Sequence, residues 1–368
     1  MRRAVFLTAA MVLSFVSWSC QDQQDKVKIY AILPLTGDIA SYGNDSKDGI
    51  NLAIEFANKN QTKFKFKVEY QDSKGEAKTA VTILERILST SKPTAIIGEN
   101  TSSATAAMIP IIDRHRTILI SPSASAPNLS QKSSYFFRVF PSDTEEGTFM
   151  VDFISKQHPN ARVSIIYANN DYGTGVKNVF EQKAKSAGIN LLQNFGYSTT
   201  NTDFKSILTT IKSLNPDVIY MLGYYNDGAL ILKQAKEMKI EAVMYGSGTH
   251  EDPKLIEIAG KASEGFIYPM STSFDINNND SIVKTFVQNF TTKYHREPGV
   301  LSALGYDCAQ LIIEAVLTKG ISTDDIKNYI LTTKDISGVS GVMNFDSKGD
   351  VHKPIILKTI RGGKFEQF

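Results

Sequence analysis

Short apolar runs alternate with longer amphipathic stretches along most of this chain. Lys28–Leu33 is apolar and stops at Pro34, which reads as a buried strand. Ser46–Ala57 places Ile50, Ala53, Ile54 and Ala57 at helical spacing. Phe64–Tyr70 alternates as a strand, and Ala77–Leu88 returns to the helical pattern through Val81, Leu84 and Leu88. Thr94–Ile97 predicts a strand, Ala104–His115 a helix and Thr117–Ile120 another strand. The strands are short and nearly all apolar, as expected when helices cover both faces of a parallel sheet.

The pattern restarts after Phe140-Pro141-Ser142-Asp143. Strands are predicted at Val163–Tyr167, Asn190–Phe195, Val218–Leu222, Ala242–Tyr245 and Gly265–Tyr268. Helices are predicted between them at Gly173–Ala187, Phe204–Leu214, Ala229–Met238 and Lys254–Ala259. Two βα arrays of similar size therefore follow one another, an α/β organisation of two mainly parallel sheets flanked by helices. Helical segments come late, at Ser281–Tyr294, Leu301–Leu317 and Thr323–Thr332. The tail 338–368 is turn-rich and strand-like, with a hairpin signal at Asp346-Ser347-Lys348-Gly349-Asp350. Pattern alone does not say on which array the late helices pack.

The N-terminus differs in kind. Arg2 and Arg3 precede the apolar run Ala4–Val16, followed by Ser17-Trp18-Ser19-Cys20. A charged start, an apolar core and a small residue before the cut describe a secretory signal. The core is about 13 residues, short of the ~20 needed to span a bilayer. Ser19-Cys20 resembles a lipobox in which Cys20 becomes the lipidated first residue; the alternative is plain export with Cys20 discarded or free. Residues 1–19 are then a signal peptide, and 20–26 (CQDQQDK) a polar tether. Arg2-Arg3 has no further twin-arginine motif around it.

Composition narrows the function. The 368 residues are 42% hydrophobic and 21% charged, enough for two domains with cores of their own. The 40 basic and 38 acidic residues form no block of one sign, so nothing points to nucleic acid. The chain has 2 cysteines, too few for a zinc site and not spaced as CxxC. Cys308, in an apolar stretch, reads as a small core residue. The first strand opens into Pro34-Leu35-Thr36-Gly37, not GxGxxG, which argues against a dinucleotide fold. No GxxxxGK[ST] loop, GxSxG elbow or HExxH is present. The 5 histidines are scattered, and no metal or cofactor is expected.

The strand ends carry the polar chemistry. In open α/β sheets, ligands sit beyond the carboxyl ends of the strands. The segments there are 37–43, 98–103, 121–125, 169–173, 223–227 and 246–251, rich in hydroxyls, glycines and tyrosines. Helix N-termini there offer free N–H groups to a carboxylate. Ser102 and Ser103 also suit simple capping of the 104–115 helix. Tyr42 and Tyr172 also suit ordinary loop aromatics, and Tyr224-Tyr225 an interface. Recurrence in both arrays is what favours a binding cleft.

Several stretches, in order, resemble one family: Ser41-Tyr42-Gly43; Tyr70-Gln71-Asp72; Ile97-Gly98 with Thr101-Ser102-Ser103; Ser121–Pro127 (SPSASAP); Asp171-Tyr172-Gly173; Gly223-Tyr224; and Ala259-Gly260 with Ser263-Glu264-Gly265. The chain resembles the substrate-binding proteins of branched-chain amino acid ABC transporters, the leucine/isoleucine/valine-binding group of type I periplasmic binding proteins. The resemblance runs from Lys26 to about Lys358. It implies two lobes joined by three hinge crossovers, 27–142 with 273–340 and 143–272 with 341–368, closing on a ligand between them. It carries the carboxylate-gripping serine onto Ser102 and the carbonyl for the ligand ammonium onto Ser123. The hydroxyl touching both ends of an amino acid falls on Ser125, and the aromatic wall on Tyr42, Tyr172 and Tyr224. Ser103, beside this clamp, is a further candidate ligand-binding residue.

The resemblance also marks departures. The acid that pairs with the ligand ammonium falls on Gly248, and a buried ammonium without an anion is costly. Either Glu251 or Asp227 reaches in, or the ligand is not a standard α-amino acid. The family's first-lobe disulfide is absent, with Ala77 and Thr101 in those neighbourhoods. Ser123 replaces a smaller residue. What the resemblance implies is a monomeric, non-catalytic solute-binding protein without cofactor, serving ABC permease subunits; with the lipobox, it is expected to be lipid-anchored in the periplasm or at the cell surface. Its ligand is a small amino acid, or alternatively a non-amino carboxylate or amide. Other readings are a ligand-sensing subunit, or an enzyme on the same scaffold.

Overall fold

The computed structural model describes residues 25–272 and 274–368. The signal segment and Cys20 lie outside the described residues. The first sheet is built from β1 (Asp25–Leu33), β2 (Phe64–Asp72), β3 (Ala95–Gly98), β4 (Leu119–Ser121) and β5 (Phe136–Arg138), with helices α1 (Ala40–Asn60), α2 (Ala77–Thr90) and α3 (Ser102–His115). Its order is β2-β1-β3-β4-β5, parallel throughout.

The second array begins with helix α4 (Asp143–Gln157). It continues through β6 (Arg162–Ala168), α5 (Asp171–Ala184), β7 (Asn190–Tyr197), α6 (Lys205–Leu214), β8 (Val218–Leu222), α7 (Tyr225–Glu237), β9 (Val243–Tyr245), α8 (Pro253–Ala259) and β10 (Ile267–Met270). The chain then forms α9 (Ser281–Tyr294), α10 (Val300–Thr318) and α11 (Thr323–Thr332), and returns as the hairpin β11 (Ile356–Arg361) and β12 (Lys364–Gln367). The second sheet has the order β12-β11-β10-β9-β8-β6-β7, antiparallel only at β10–β11–β12. Both sheets reverse order beside their first strand: β2 and β3 flank β1, and β7 and β8 flank β6. Such a reversal opens a crevice at the strands' carboxyl ends. The described chain passes between the arrays after β5, after β10 and after α11.

The apolar pattern does not reveal β5 or α4. With three residues, β5 is too short to show a period. The first turn of α4 carries Asp143, Glu145 and Glu146, and two of these acids, Asp143 and Glu146, are buried where an apolar stripe would be. The late helices pack through α10 on α1. A Cβ on Gly49 would lie 1.9 Å from the Ser302 carbonyl oxygen, and one on Gly305 2.2 Å from that of Ser46. Two glycines thus let these helix backbones touch. By length and composition α10 suffices to span a membrane, but 72% of its apolar window is buried in the protein. Cys308 is buried, as its apolar setting predicts.

The returning segment is tied down by charge. Asp346 N–H donates to the Asp350 carbonyl (2.9 Å) within the expected hairpin, and Phe345 pairs with Val351. Buried Arg138, on β5, donates to Asp350 (2.7 Å), to Ser130 (2.8 Å) and to the Ala126 carbonyl (3.0 Å). Removing one partner of a buried pair costs about 3–5 kcal/mol, because the other charge stays buried. Asp350→Ala is therefore expected to lower the urea unfolding free energy by about that much; a loss under ~1 kcal/mol would show the pair to be dispensable.

Candidate functional site

One cavity, about 490 Å³ counted to its open mouth, lies between the carboxyl ends of the two sheets. On the first side its shape comes from two turns held together. Ser102, in the opening turn of α3, accepts the backbone N–H of Ser125 (3.3 Å) and Ala126 (3.1 Å) at its hydroxyl. The turn after β3 is thereby joined to the turn after β4. With two bonds accepted, the hydroxyl proton is left for a third partner. Thr101, not Ser102 or Ser103, is the N-cap of α3, and no side chain caps this end. The amides of its first turn precede the first helical bond, from Thr105 N–H to the Thr101 carbonyl. Buried Glu99 braces the turn from behind, accepting from Ser73 Oγ (2.6 Å) and from the Thr101 hydroxyl (2.6 Å) and amide (2.5 Å). Burial pushes its carboxyl above the usual range. Asn100 donates to Ser46 and Ser123 (3.0 Å each), and Ser123 donates back to the Asn100 carbonyl.

The rest of the wall is aromatic and apolar, with Tyr42 from α1 of the first lobe and Tyr172 and Tyr224 from the second. Tyr172 stacks on Tyr224 with centroids 5.8 Å apart, and Tyr42 meets Tyr224 edge-on at 6.1 Å. Burial pushes all three phenols up, so they stay neutral. Thr249 gathers two of them: its hydroxyl lies 3.0 Å from the Tyr172 hydroxyl, and its carbonyl accepts from Tyr42. Phe140 and Met270, at two of the crossovers, and Val300, Leu301 and Leu304 of α10 make the rest of the lining apolar. Hydroxyls and amides at one end and rings at the other suit a small molecule with a carboxylate and an apolar body. Among the described residues, no group of three or more His, Cys, Asp or Glu is placed to hold a metal ion.

The sides are closed on each other. Ser103 Oγ donates to Asp171 (2.6 Å) and accepts its backbone N–H (3.1 Å); Asn128 also donates to Asp171 (2.9 Å). Tyr225 donates to the Asp38 carbonyl at 2.7 Å. These bonds span the cleft.

A family model described as periplasmic binding protein matches residues 26–358. The chain belongs to the periplasmic binding protein family. The leucine-, isoleucine-, valine-, threonine-, and alanine-binding protein of Pseudomonas aeruginosa is 25% identical over 94% of this chain and 92% of its own. A leucine binding protein from Thermotoga maritima has a TM-score of 0.87 at 29% identity, covering 93% of this chain and 97% of that one. A solute binding protein of an ABC transporter from R. palustris, in complex with benzoate, shares the fold: TM-score 0.85 at 18% identity, over 93% and 95% of the two chains. The fold is thus the two-lobed type I periplasmic-binding-protein fold, and these relatives are binding proteins rather than enzymes.

Within that fold, the structure brings Tyr42, Ser102, Ser123, Ser125, Tyr172, Tyr224 and Glu251 to the cavity wall, but not Ser103 or Asp227. Ser103 is part of the contact between lobes. Asp227 caps α7, accepting the Tyr224 amide (2.8 Å) and the Tyr197 hydroxyl, while burial raises it to about 6. Glu251 is committed to Lys358 (2.5 Å) and the Tyr268 hydroxyl (2.8 Å). Of the two acids expected to compensate for Gly248, Asp227 lies off the cavity wall and Glu251, on it, is already paired. The sequence reading also passed over Asn100, Thr249, Phe140, Met270 and the α10 residues. Thr249 sits in a strand-end segment already singled out, whereas the apolar ones are indistinguishable from core. Ser103→Ala removes two bonds between lobes, together about 1–3 kcal/mol. The unliganded variant is expected to open, with a larger radius of gyration in small-angle scattering; an unchanged radius would deny Ser103 that role.

Proposed function

We propose that this chain is the extracytoplasmic solute-binding component of an ABC importer, taking a small amino acid of the leucine, isoleucine or valine kind between its lobes. The observation that carries this reading is the pairing of the Ser102 turn, a carboxylate-sized set of donors at the positive end of α3, with an apolar and tyrosine-lined wall opposite. In this mechanism the ligand carboxylate first docks on the Ser102 hydroxyl and the α3 amides of the open protein. Closure then brings Tyr172, Tyr224 and Thr249 over it, and expelled water strengthens the polar contacts inside. A closed, loaded form is what permease subunits would recognise. The relatives from Pseudomonas aeruginosa and Thermotoga maritima, both named for binding leucine, support an amino-acid ligand. The chain is read as a monomer, without cofactor, held in the periplasm or at the cell surface through a lipid on Cys20.

Gly248 favours a second reading. With no acid there, a carboxylate lacking the amino group, or an amide, avoids the cost of an unpaired ammonium. Delivery to a sensing partner instead of a permease would use the same cleft.

Thermal-shift screening of refolded, ligand-stripped protein against amino acids and their deaminated acids separates these readings. A ligand at ~100 times its Kd stabilises by ~2.7 kcal/mol. Stabilisation by leucine-like amino acids alone supports the first reading, and stabilisation by deaminated acids or amides alone the second. Ser102→Ala is expected to weaken binding of whichever ligand is found by about 1–3 kcal/mol; unchanged affinity would remove the carboxylate clamp. Cys20→Ser is expected to shift the protein from the membrane to the soluble fraction, and unaltered fractionation would deny the anchor.

A further inference from the structure

Behind the cavity wall lies a pair of acids that the clamp does not use. Asp143 and Glu146, one helical turn apart at the start of α4, are 1% and 2% exposed. Neither lines the cavity itself, but each bonds a residue that does. Asp143 N–H donates to the Ser125 carbonyl (2.9 Å), and the Ser125 hydroxyl bonds its carboxyl. Glu146 receives the backbone N–H of Gly248. Each acid still has one oxygen, Asp143 Oδ2 and Glu146 Oε1, that is fully buried without a partner.

No lysine, arginine or histidine among the described residues forms an ion pair with either acid. Arg138 is near enough for Asp143 to feel its charge, but its guanidinium bonds Asp350, Ser130 and the Ala126 carbonyl. The other titratable groups facing the pair are the Tyr172, Tyr220 and Tyr224 phenols, all neutral. Two buried carboxyls side by side cannot both ionise cheaply without a cation. Burial lifts Asp143 to about 7 and, with Asp143 beside it, Glu146 well above the usual carboxylate range. Without a cation at least one of the two acids is therefore expected to hold its proton, and a cation arriving beside them would displace it.

The position of Glu146 gives this pair a role. A Cβ built on Gly248 would stand 3.1 Å from the Pro269 carbonyl oxygen, 3.4 Å from Glu146 Oε2 and 3.6 Å from Cε of Met270, which itself lines the cavity. The Glu146 carboxyl thus lies directly beside position 248. We propose that Glu146, backed by Asp143, supplies the anion missing at position 248 and receives the ammonium end of a ligand whose carboxylate sits on Ser102. This rests on the amino-acid reading above and names the residue that makes it possible. Glu251 and Asp227 are then spectators, each engaged with a partner of its own.

The test is calorimetric titration of the refolded, ligand-stripped protein with leucine, valine and alanine and with their deaminated acids. Glu146→Gln keeps shape and removes charge. It is expected to weaken amino-acid binding at least thirtyfold and to change binding of the deaminated acids less than threefold. Glu146→Asp keeps the charge but draws it back by one methylene, and is expected to fall between wild type and Glu146→Gln. It also serves as the informative variant if Glu146→Gln fails to fold. Amino-acid affinity within threefold of wild type in a folded Glu146→Gln protein, or in Glu146→Asp when Gln does not fold, would overturn the assignment while leaving the amino-acid reading intact. Wild-type protein that binds the deaminated acids but none of the amino acids would overturn that reading itself, and the role of Glu146 with it.

Discussion

The cleft is organised by one oxygen atom. The Ser102 hydroxyl accepts two backbone amides from the turn after β4 while standing in the first turn of α3. Three things follow from that single tie. The two turns hold a fixed distance, the free amides of α3 face the space between the sheets, and the hydroxyl keeps a proton to give. Glu99 reinforces the tie from within, where its three accepted bonds would be expensive to leave unmade. The cluster of serines and threonines is therefore a piece of backbone scaffolding before it is anything else.

The aromatic part of the wall, drawn from both lobes, works by a different economy. Tyr42, Tyr172 and Tyr224 contribute broad apolar area at small entropic cost, since each has few rotatable bonds, and their hydroxyls find partners on Thr249 or Asn170. No formal charge in the wall is free: Glu251 is neutralised by Lys358. Discrimination between ligands must then come from shape and from whatever lies just beneath the wall. This gives the buried acids of α4 their weight.

Much of this was legible in the sequence. The alternation of apolar runs and amphipathic helices located most strands to within a few residues, because parallel strands covered on both faces must be apolar throughout. The hydroxyls after β3 and β4 were visible because small polar residues have little reason to follow a buried strand unless something there needs them. Two kinds of feature escaped. Leu304 and Met270 border the cavity, yet they are apolar residues on largely buried elements, and one side chain looks the same whether it faces a ligand or a neighbour. Helix α4 escaped for the opposite reason. Asp143 and Glu146 occupy inward positions, so the period that announces a helix is broken by the very residues that give it chemical interest. The late helices could be assigned to a lobe only by resemblance, because Gly49 and Gly305 signal a close crossing only when seen as a pair.

Helix α10 has one more property. Its nineteen residues are on average apolar enough to enter lipid, though Asp307, Gln310 and Glu314 interrupt them. Asp307 stands near the middle of the stretch, where a carboxylate opposes lipid insertion by about 2.5–3.5 kcal/mol. In the folded protein the same side chain receives the amides of Val339 and Ser340 (2.7 and 2.8 Å) and so fastens the third crossover. The same aspartate thus lowers the stretch's affinity for lipid and, in the folded protein, holds the strap between the lobes.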